Sequence, residues 1–198
     1  MKTTKSAIRN LQSAMERGIM SRKANRKSPT DTASPQVGIL MGSDSDLPAM
    51  QEAAKILAEF GVPFELRICS AHRTPDRLIR YAREAEGRGI RVLIAGAGGA
   101  AHLAGVLAAH AMMPVIGVPM ESGPLNGLDA LLSTVQMPGG VPVACVAIGR
   151  AGARNAGLLA VQILALREPL LKQKFLDFRA RMAAEVAAKD RRLQRKPA

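Results

Sequence analysis

The sequence predicts a three-layer αβα sandwich around a parallel sheet, and two observations lead to this prediction. Short apolar runs alternate with longer segments of helical periodicity from residue 37 to residue 166. Apolar runs of this kind are typical of parallel strands that are buried on both faces. Because crossover connections are right-handed, the helices should cover both faces of the sheet, as in flavodoxin-like or Rossmann-like domains.

The bounds of the individual elements follow from the spacing of apolar residues and from the Gly and Pro residues that interrupt it. In chain order, the predicted strands are Val37–Met41, Phe64–Cys69, Arg91–Ala95, Pro114–Val118 and Val141–Ile148. The predicted helices are Leu47–Phe60, which stops at Gly61, then Asp76–Glu86, Ala100–Met112, Leu128–Val135 and Ala151–Leu166. The segment between the fourth strand and the fourth helix is rich in Gly and Pro and is predicted to be irregular.

Two terminal regions flank this αβα domain, which spans residues 37–166. Residues 1–36 are predicted to be a basic, disordered extension, and residues 167–198 a helical tail. The tail carries one stripe of apolar side chains at helical spacing: Leu170, Leu171, Phe175, Phe178, Met182 and Val186. We expect this stripe to pack against a neighbouring subunit, since so wide an apolar face needs a second surface.

The net charge of +12 is confined to the two ends of the chain. Residues 1–36 hold eight Lys or Arg and two Asp or Glu, and residues 167–198 hold ten and four. The domain between them holds ten of each and is neutral. Basic runs interleaved with aromatic residues are absent from the sequence, so no specific nucleic-acid binding is expected of the domain.

Composition also bounds the environment of the protein. Cys69 and Cys145 lie in apolar runs without metal-ligand spacing, which favours reduced thiols in the cytoplasm. The apolar segment 92–120 is interrupted by Gly, Pro and His, so it does not predict a membrane helix. We therefore expect a cytoplasmic protein without a membrane contact or a bound metal.

The segment Ser70–Pro75 is the most informative in the chain. It places a hydroxyl, an imidazole and a guanidinium between a strand and a helix. In a parallel α/β sheet this edge binds ligands. Arginine suits an anionic group, and histidine is the side chain most ready to move a proton at neutral pH. The segment therefore predicts a site for a phosphorylated substrate, with proton transfer at His72.

Two further strand-end loops should lie at the same edge. Gly42–Asp46 offers amides and hydroxyls to a phosphate, with Asp46 suited to ribose hydroxyls, although ordinary helix capping is the better explanation of this loop taken alone. Gly96–His102 would let backbone amides approach a ligand, unless it is a tight turn without one. His102 could cap its helix, and we expect it to have a structural role or to support another site residue; for His110 we expect no role.

The sequence lacks a Walker lysine, a nucleophile elbow and a metal-ligand cluster. What remains is cofactor-free chemistry on a small phosphorylated molecule. Five motifs then occur in order: Met41–Asp46, Ser70–Pro75, Ala95–His102, Gln136–Pro138 and Ala147–Gly149. Together they resemble the class I N5-carboxyaminoimidazole ribonucleotide mutases of de novo purine synthesis, over about residues 37–170.

The resemblance implies a mutase that interconverts N5-carboxyaminoimidazole ribonucleotide and 4-carboxy-5-aminoimidazole ribonucleotide without a cofactor. It also implies a homo-octamer with sites at subunit boundaries. His72 would be the catalytic proton shuttle. The implied substrate-binding residues are Ser43, Ser70 and Arg73 for the phosphate, Asp46 for the ribose, Ser45 beside them, and Ala97, Gly98 and Leu103 around the base and carboxylate.

Two departures and three alternatives accompany this interpretation. Ala104 stands where the family commonly has Pro, and Glu121 where relatives are usually uncharged. The first alternative is a related enzyme, an aminoimidazole ribonucleotide carboxylase that uses CO2 directly; Ser70–Pro75 favours the mutase type, and the substrate that is turned over would discriminate between the two. A nucleotide-binding module without catalysis, or a basic protein that binds nucleic acid through its tails, are the alternatives from other classes.

Overall fold

The computed structural model describes residues 34–194, and within this range five parallel strands form one sheet in the order β2-β1-β3-β4-β5. The strands are β1 Val37–Met41, β2 Phe64–Ile68, β3 Val92–Ala97, β4 Val115–Pro119 and β5 Ala144–Cys145. The helices are α1 Leu47–Phe60, α2 Pro75–Ala85, α3 Leu103–His110, α4 Leu128–Val135, α5 Gly149–Ala165 and α6 Pro169–Gln194. This strand order is the flavodoxin-like one.

Helices cover both faces of the sheet, which confirms the predicted αβα sandwich. Alternate residues of a strand enter different cores, as the two-residue repeat of a strand requires. Ile39 and Met41 pack in the larger core beneath α1, α5 and α6, whereas Leu40 packs in the smaller core beneath α2 and α3. The sheet therefore forms the middle of three layers.

Two elements differ from their predicted bounds by three residues or more, and the others by one or two at most. The fifth strand was predicted over Val141–Ile148, but β5 contains only Ala144 and Cys145. Proline has no N–H for a ladder, and Pro142 and Ala144 are exposed at this outer edge of the sheet. The third helix begins at Leu103, three residues later than predicted, because Gly98 and Gly99 extend the preceding loop to His102.

The helix α6 packs on its own chain through the first part of its apolar stripe. Phe175 and Phe178 form an aromatic cluster with Phe60 at the end of α1, with ring centroids 5.5 to 6.2 Å apart. Leu171 and Phe178 are buried, whereas Leu170, Met182 and Val186 are exposed. Part of the stripe therefore packs within the chain. Packing of its exposed side chains against a second subunit stays a prediction.

An ion-pair cluster ties α2 to the edge strand β2. Glu65 accepts hydrogen bonds from the Tyr81 hydroxyl at 2.9 Å and from Arg67, and Arg88 pairs with the same carboxylate at 2.7 Å. Burial alone would raise the pKa of Glu65, but the hydrogen bonds from these partners outweigh it and lower that pKa. The helix that follows the Ser70–Pro75 segment is therefore fixed in position.

None of the helices within residues 34–194 combines the length and apolar character needed to span a membrane. The predicted disordered extension lies, up to residue 33, outside the described residues, as do residues 195–198 of the predicted tail. Both cysteines of the chain fall within the described part, and both are free thiols.

Candidate active site

The carboxyl ends of β1, β2 and β3 meet at one edge of the sheet, where Met41 lies opposite Ile68 on one side and Gly96 on the other. The loops that follow these strands enclose a cavity of about 350 Å³. All nine residues predicted for the site line this cavity: Ser43, Ser45, Asp46, Ser70, His72, Arg73, Ala97, Gly98 and Leu103. A cavity of this volume suits a small ligand.

The loop after β2 is closed by its own hydrogen bonds. The Thr74 hydroxyl donates to the Ser70 carbonyl at 3.1 Å, and the Ser70 amide donates to that hydroxyl at 3.1 Å. The amide of Arg73 donates to the Ser70 hydroxyl at 3.2 Å. Because these bonds join both ends of the turn, Ser70, His72 and Arg73 project from a fixed backbone.

Arg73 connects the loop after β2 with the loop after β1. Its Nη2 donates to the Gly42 carbonyl at 2.7 Å, and its Nε lies 3.4 Å from the Ser70 hydroxyl. A guanidinium carries five N–H groups, so several remain for an anion in the cavity. These two contacts also restrict the rotamers of the Arg73 side chain before a ligand arrives. The entropic cost of binding is therefore lower.

The loop after β1 separates its two aspartates. Ser43 accepts a hydrogen bond from the Ser45 amide at 3.4 Å, which caps a 3-10 turn over Asp44–Asp46, and it donates to Asp44 at 2.9 Å. Asp44 is exposed, whereas Asp46 lines the cavity. Burial raises the pKa of Asp46 above its usual range, although hydrogen bonds from Ser43 and Ser45 and the charge of Arg73 oppose the rise. Capping and cavity lining thus occur in the same loop.

The loop after β3 is held by segments that follow β4. A side chain at Gly98 would collide with the Ser122 hydroxyl, and Gly99 has a φ of 62°, in the left-handed region that favours glycine. The amide of Ala101 donates to the Ser133 hydroxyl on α4 at 3.0 Å. Ser122 also lines the cavity. Ser122 was not predicted as a site residue, because nothing in the local sequence pattern places its segment beside Gly98.

His72 and His102 face each other across the cavity. His72 Nε2 lies 2.8 Å from His102 Nδ1, and the rings meet edge to face with centroids 4.9 Å apart. His102 occupies the N-cap position of α3, but its side chain makes no capping hydrogen bond and contacts the imidazole of His72 instead. The sequence did offer one signal for this contact. Each of the loops that follow β2 and β3, the two strands beside β1, carries one of the histidines.

Several other residues singled out in the sequence lie away from the cavity. Glu121 is exposed and its carboxylate lies near Gly149 at the start of α5, so it does not face the cavity. Ala104 is buried in the smaller core, and His110 lies at the far end of α3. Within residues 34–194, no three His, Cys, Asp or Glu side chains are grouped so as to hold a metal ion.

Residues 36–185 match the family model described as AIR carboxylase. The chain belongs to the AIR carboxylase family. Its similarity to N5-carboxyaminoimidazole ribonucleotide mutase of Thermotoga maritima is 58% identity over 160 residues, which is 81% of this chain and 92% of that protein. The phosphoribosylaminoimidazole carboxylase of Schizosaccharomyces pombe is 57% identical over 159 residues, but these are 28% of that protein.

A solved structure of the AIR carboxylase family's fold agrees with this assignment. The crystal structure of Treponema denticola PurE has a TM-score of 0.74 with this chain at 30% identity, and the match covers 81% of this chain and 99% of that one. The fold that the sequence predicted is therefore shared with that solved structure.

Proposed function

We propose that this protein is an isomerase of de novo purine biosynthesis that interconverts N5-carboxyaminoimidazole ribonucleotide and 4-carboxy-5-aminoimidazole ribonucleotide. One observation carries the proposal: a single cavity joins His72 to the anion-binding Arg73 and to the Gly-rich loop after β3. The relative from Thermotoga maritima that bears the mutase name matches nearly along its whole length, which supports the same activity here.

The phosphate and ribose of the substrate would bind on the loops after β1 and β2. Arg73 carries the positive charge, and the Ser70 hydroxyl would donate to the phosphate, as would the Ser43 hydroxyl once it leaves Asp44, with Ser45 beside them. Asp46 would accept hydrogen bonds from the ribose hydroxyls, for which it must be ionised. The loop after β1 is suited to this division because Asp46 lines the cavity, whereas Asp44 is exposed and does not line it.

The reaction then needs one group that both gives and takes a proton. His72 donates a proton to the carbamate nitrogen as the bond between that nitrogen and the carboxyl carbon breaks, which releases CO2 and aminoimidazole ribonucleotide. The electron pair at C4 attacks the carbon of CO2, and His72 removes the C4 proton to restore the aromatic ring. No net proton is consumed. Imidazole, with a reference pKa of about 6.5, suits both steps.

The Gly-rich side of the cavity would retain CO2 between the two steps. Ala97, Gly98 and Leu103 present no charged side chain, and Leu103 is buried. A pocket with little polar surface holds few ordered water molecules, which favours attack by C4 over loss of CO2 to solvent. In the proposed complex, charge would lie on one side of the substrate and an apolar surface on the other.

The carboxylase alternative rests on the relative from Schizosaccharomyces pombe, of which this chain covers only 28%. The mutase relative is matched over 92% of its length, so the mutase activity is favoured. The proposed reaction needs neither a metal nor an organic cofactor. We place the enzyme in the cytoplasm, where the thiols of Cys69 and Cys145 stay reduced.

We also propose a homo-octamer with sites at subunit boundaries. His72, Arg73 and His102 are exposed in the isolated chain, so the cavity is open on one side. Apolar side chains of α4, beside the cavity, are exposed as well: Leu128, Leu132 and Val135. The Gln136–Pro138 motif follows α4 and does not line the cavity of its own chain, which is consistent with a role toward a neighbouring subunit. Light scattering of the purified protein would give the subunit number.

The first test is turnover of freshly prepared N5-carboxyaminoimidazole ribonucleotide, with aminoimidazole ribonucleotide plus bicarbonate assayed in parallel. We expect rapid conversion of the carbamate and slow conversion of the second mixture. Activity in the bicarbonate reaction alone would make the protein a direct carboxylase. Binding of the ribonucleotide without turnover in either assay would leave the non-catalytic binding module as the better description.

A further inference from the structure

The contact between His72 and His102 restricts where protons can lie. His72 Nε2 and His102 Nδ1 are 2.8 Å apart, a distance that accommodates one hydrogen atom but not two. One of the two nitrogens is therefore the donor and the other the acceptor while the contact persists. The two imidazoles cannot both be fully protonated in this arrangement.

The proton shuttle at His72 is compatible with only one of the two polarities. If His102 Nδ1–H donated to His72 Nε2, a neutral His72 would carry its proton on Nδ1 and have no basic nitrogen left for C4–H. If His72 Nε2–H donates instead, Nδ1 of His72 can gain and lose a proton without breaking the contact. His102 must then be neutral, with its own proton on Nε2.

We propose that His102 is a positioning residue that accepts this hydrogen bond, holds the proton of His72 on Nε2 and leaves Nδ1 of His72 as the nitrogen that exchanges protons with the substrate. The inference rests on the proposed mutase function. The histidine on one loop thus determines the tautomer of the histidine on the other.

The backbone around His102 is suited to such a role because it is fixed on both sides. The preceding residue, Ala101, donates its amide to Ser133 at 3.0 Å, and the His102 carbonyl accepts from the amide of Val106 at 2.9 Å. Gly98 is in contact distance of Ser122, which closes the loop from the other end. An acceptor on a fixed backbone selects a tautomer, whereas one on a mobile loop would follow the donor.

Replacement of His102 by Asn and by Leu tests the inference in the mutase assay. An Asn side chain can present its amide oxygen where Nδ1 stands, whereas Leu offers no acceptor. We expect His102→Asn to keep kcat within about threefold of the wild type, and His102→Leu to lower kcat about 10- to 100-fold with KM nearly unchanged. His110→Leu, at the far end of the same helix, is the matched control and should leave both constants unchanged.

A second measurement does not depend on activity. The chain has three histidines, so the imidazole ¹⁵N resonances of histidine-labelled protein can be assigned with the same three variants. We expect His102 to show the neutral Nε2–H tautomer, and His72 to lose its Nε2–H preference in His102→Leu.

Three results would overturn the inference: wild-type kcat in His102→Leu, equal losses in folded His102→Asn and His102→Leu, or an Nδ1–H tautomer at His102. The failure of the proposed function looks different, since the wild type itself would then not convert the carbamate. In that case the ¹⁵N resonances still decide the polarity of the contact.

Discussion

The loops after β2 and β3 flank the same strand and line the same cavity, yet they are built in opposite ways. The loop after β2 is polar and is held by hydrogen bonds among its own residues, Ser70, Arg73 and Thr74. The loop after β3 is made of Gly and Ala up to His102 and is held from outside, by Ser122 and Ser133. In the proposed reaction, the loop after β2 would contribute charge and a proton, and the loop after β3 would contribute space.

In the proposed reaction, this difference matches two separate requirements: one for holding the part of the substrate that does not react, and one for retaining the CO2. Charge and hydrogen-bond donors hold the part of the substrate that does not react, so they can be built into a rigid polar turn. The migrating CO2 needs a surface with few competing polar groups. The pair of His72 and His102 is the point at which the two loops touch.

Substitution of the imidazole in the polar loop should have the largest effect. His72→Asn keeps an amide near the position of Nδ1 but cannot gain and release a proton. We expect kcat to fall by about 10³-fold or more, since general acid–base catalysis commonly contributes 10²- to 10⁴-fold, while the dissociation constant of the substrate changes little. Rapid-quench turnover and equilibrium binding measure the two quantities. Near-normal turnover in this variant would remove His72 from the mechanism.

The guanidinium of the same loop should come next. Arg73→Lys retains the charge but cannot contact the Gly42 carbonyl and the Ser70 hydroxyl in one plane. We expect kcat/KM to fall about 10- to 100-fold, mainly through KM. Arg80→Lys, on the exposed side of α2, is the matched control. An unchanged KM in Arg73→Lys would argue against phosphate binding at this position.

In the loop after β3, the informative substitution adds a side chain instead of altering a charged or ionisable one. Gly98→Ala introduces a methyl group that collides with the Ser122 hydroxyl. We expect a loss of about 1–3 kcal/mol in the free energy of unfolding, and a lower kcat. The double variant Gly98→Ala, Ser122→Gly should recover much of both, because the colliding side chain is gone. Thermal denaturation and turnover of the three variants test this, and no recovery in the double variant would contradict the cause.

The smallest expected effect concerns stability at Asp46. Because burial raises the pKa of this carboxyl in the folded protein, its ionised form disfavours the fold relative to the unfolded chain. The stabilisation by the protonated form is complete below the unfolded pKa and is lost as pH rises through the folded pKa. Asp46→Asn should therefore raise Tm at neutral pH, by less than about 4 °C.

The pH dependence of the gain in Tm expected for Asp46→Asn is the control for this prediction. In acid, Asp46 is protonated in both states of the wild type, so the difference in Tm should disappear. A gain that persists unchanged in acid would mean that the charge of Asp46 is not its cause. A weaker KM in Asp46→Asn at neutral pH would accompany the gain if the carboxylate binds the ribose.

The fold class could be predicted because apolar runs and helical spacing are local properties of the chain. The order of the strands could not, since no local pattern states that β1 lies between β2 and β3. The length of the fifth strand was overestimated because pairing also depends on which strands lie beside it. Val141–Ile148 is apolar enough for a strand, but it has a neighbour on one side only, and pairing is limited to Ala144 and Cys145.

The site was predictable where its residues follow strands directly. Polar or glycine residues after β1, β2 and β3 must meet at one sheet edge, and all nine predicted residues line one cavity. The contact of His72 with His102 and the position of Ser122 depend on how separate loops approach each other in space. Such contacts leave no periodic signal in the sequence. The apolar stripe of α6 has the same limit, because its spacing does not show which of its side chains pack against the same chain.

The hydrogen bond between Tyr81 and Glu65 gives the molecule an optical label. The chain contains one tyrosine and no tryptophan, so its intrinsic fluorescence comes from a single phenol on α2, the helix that begins where the loop after β2 ends. A phenol that donates to a carboxylate is quenched. Any shift of this helix on ligand binding should therefore brighten or dim the whole emission of the protein, without an added dye.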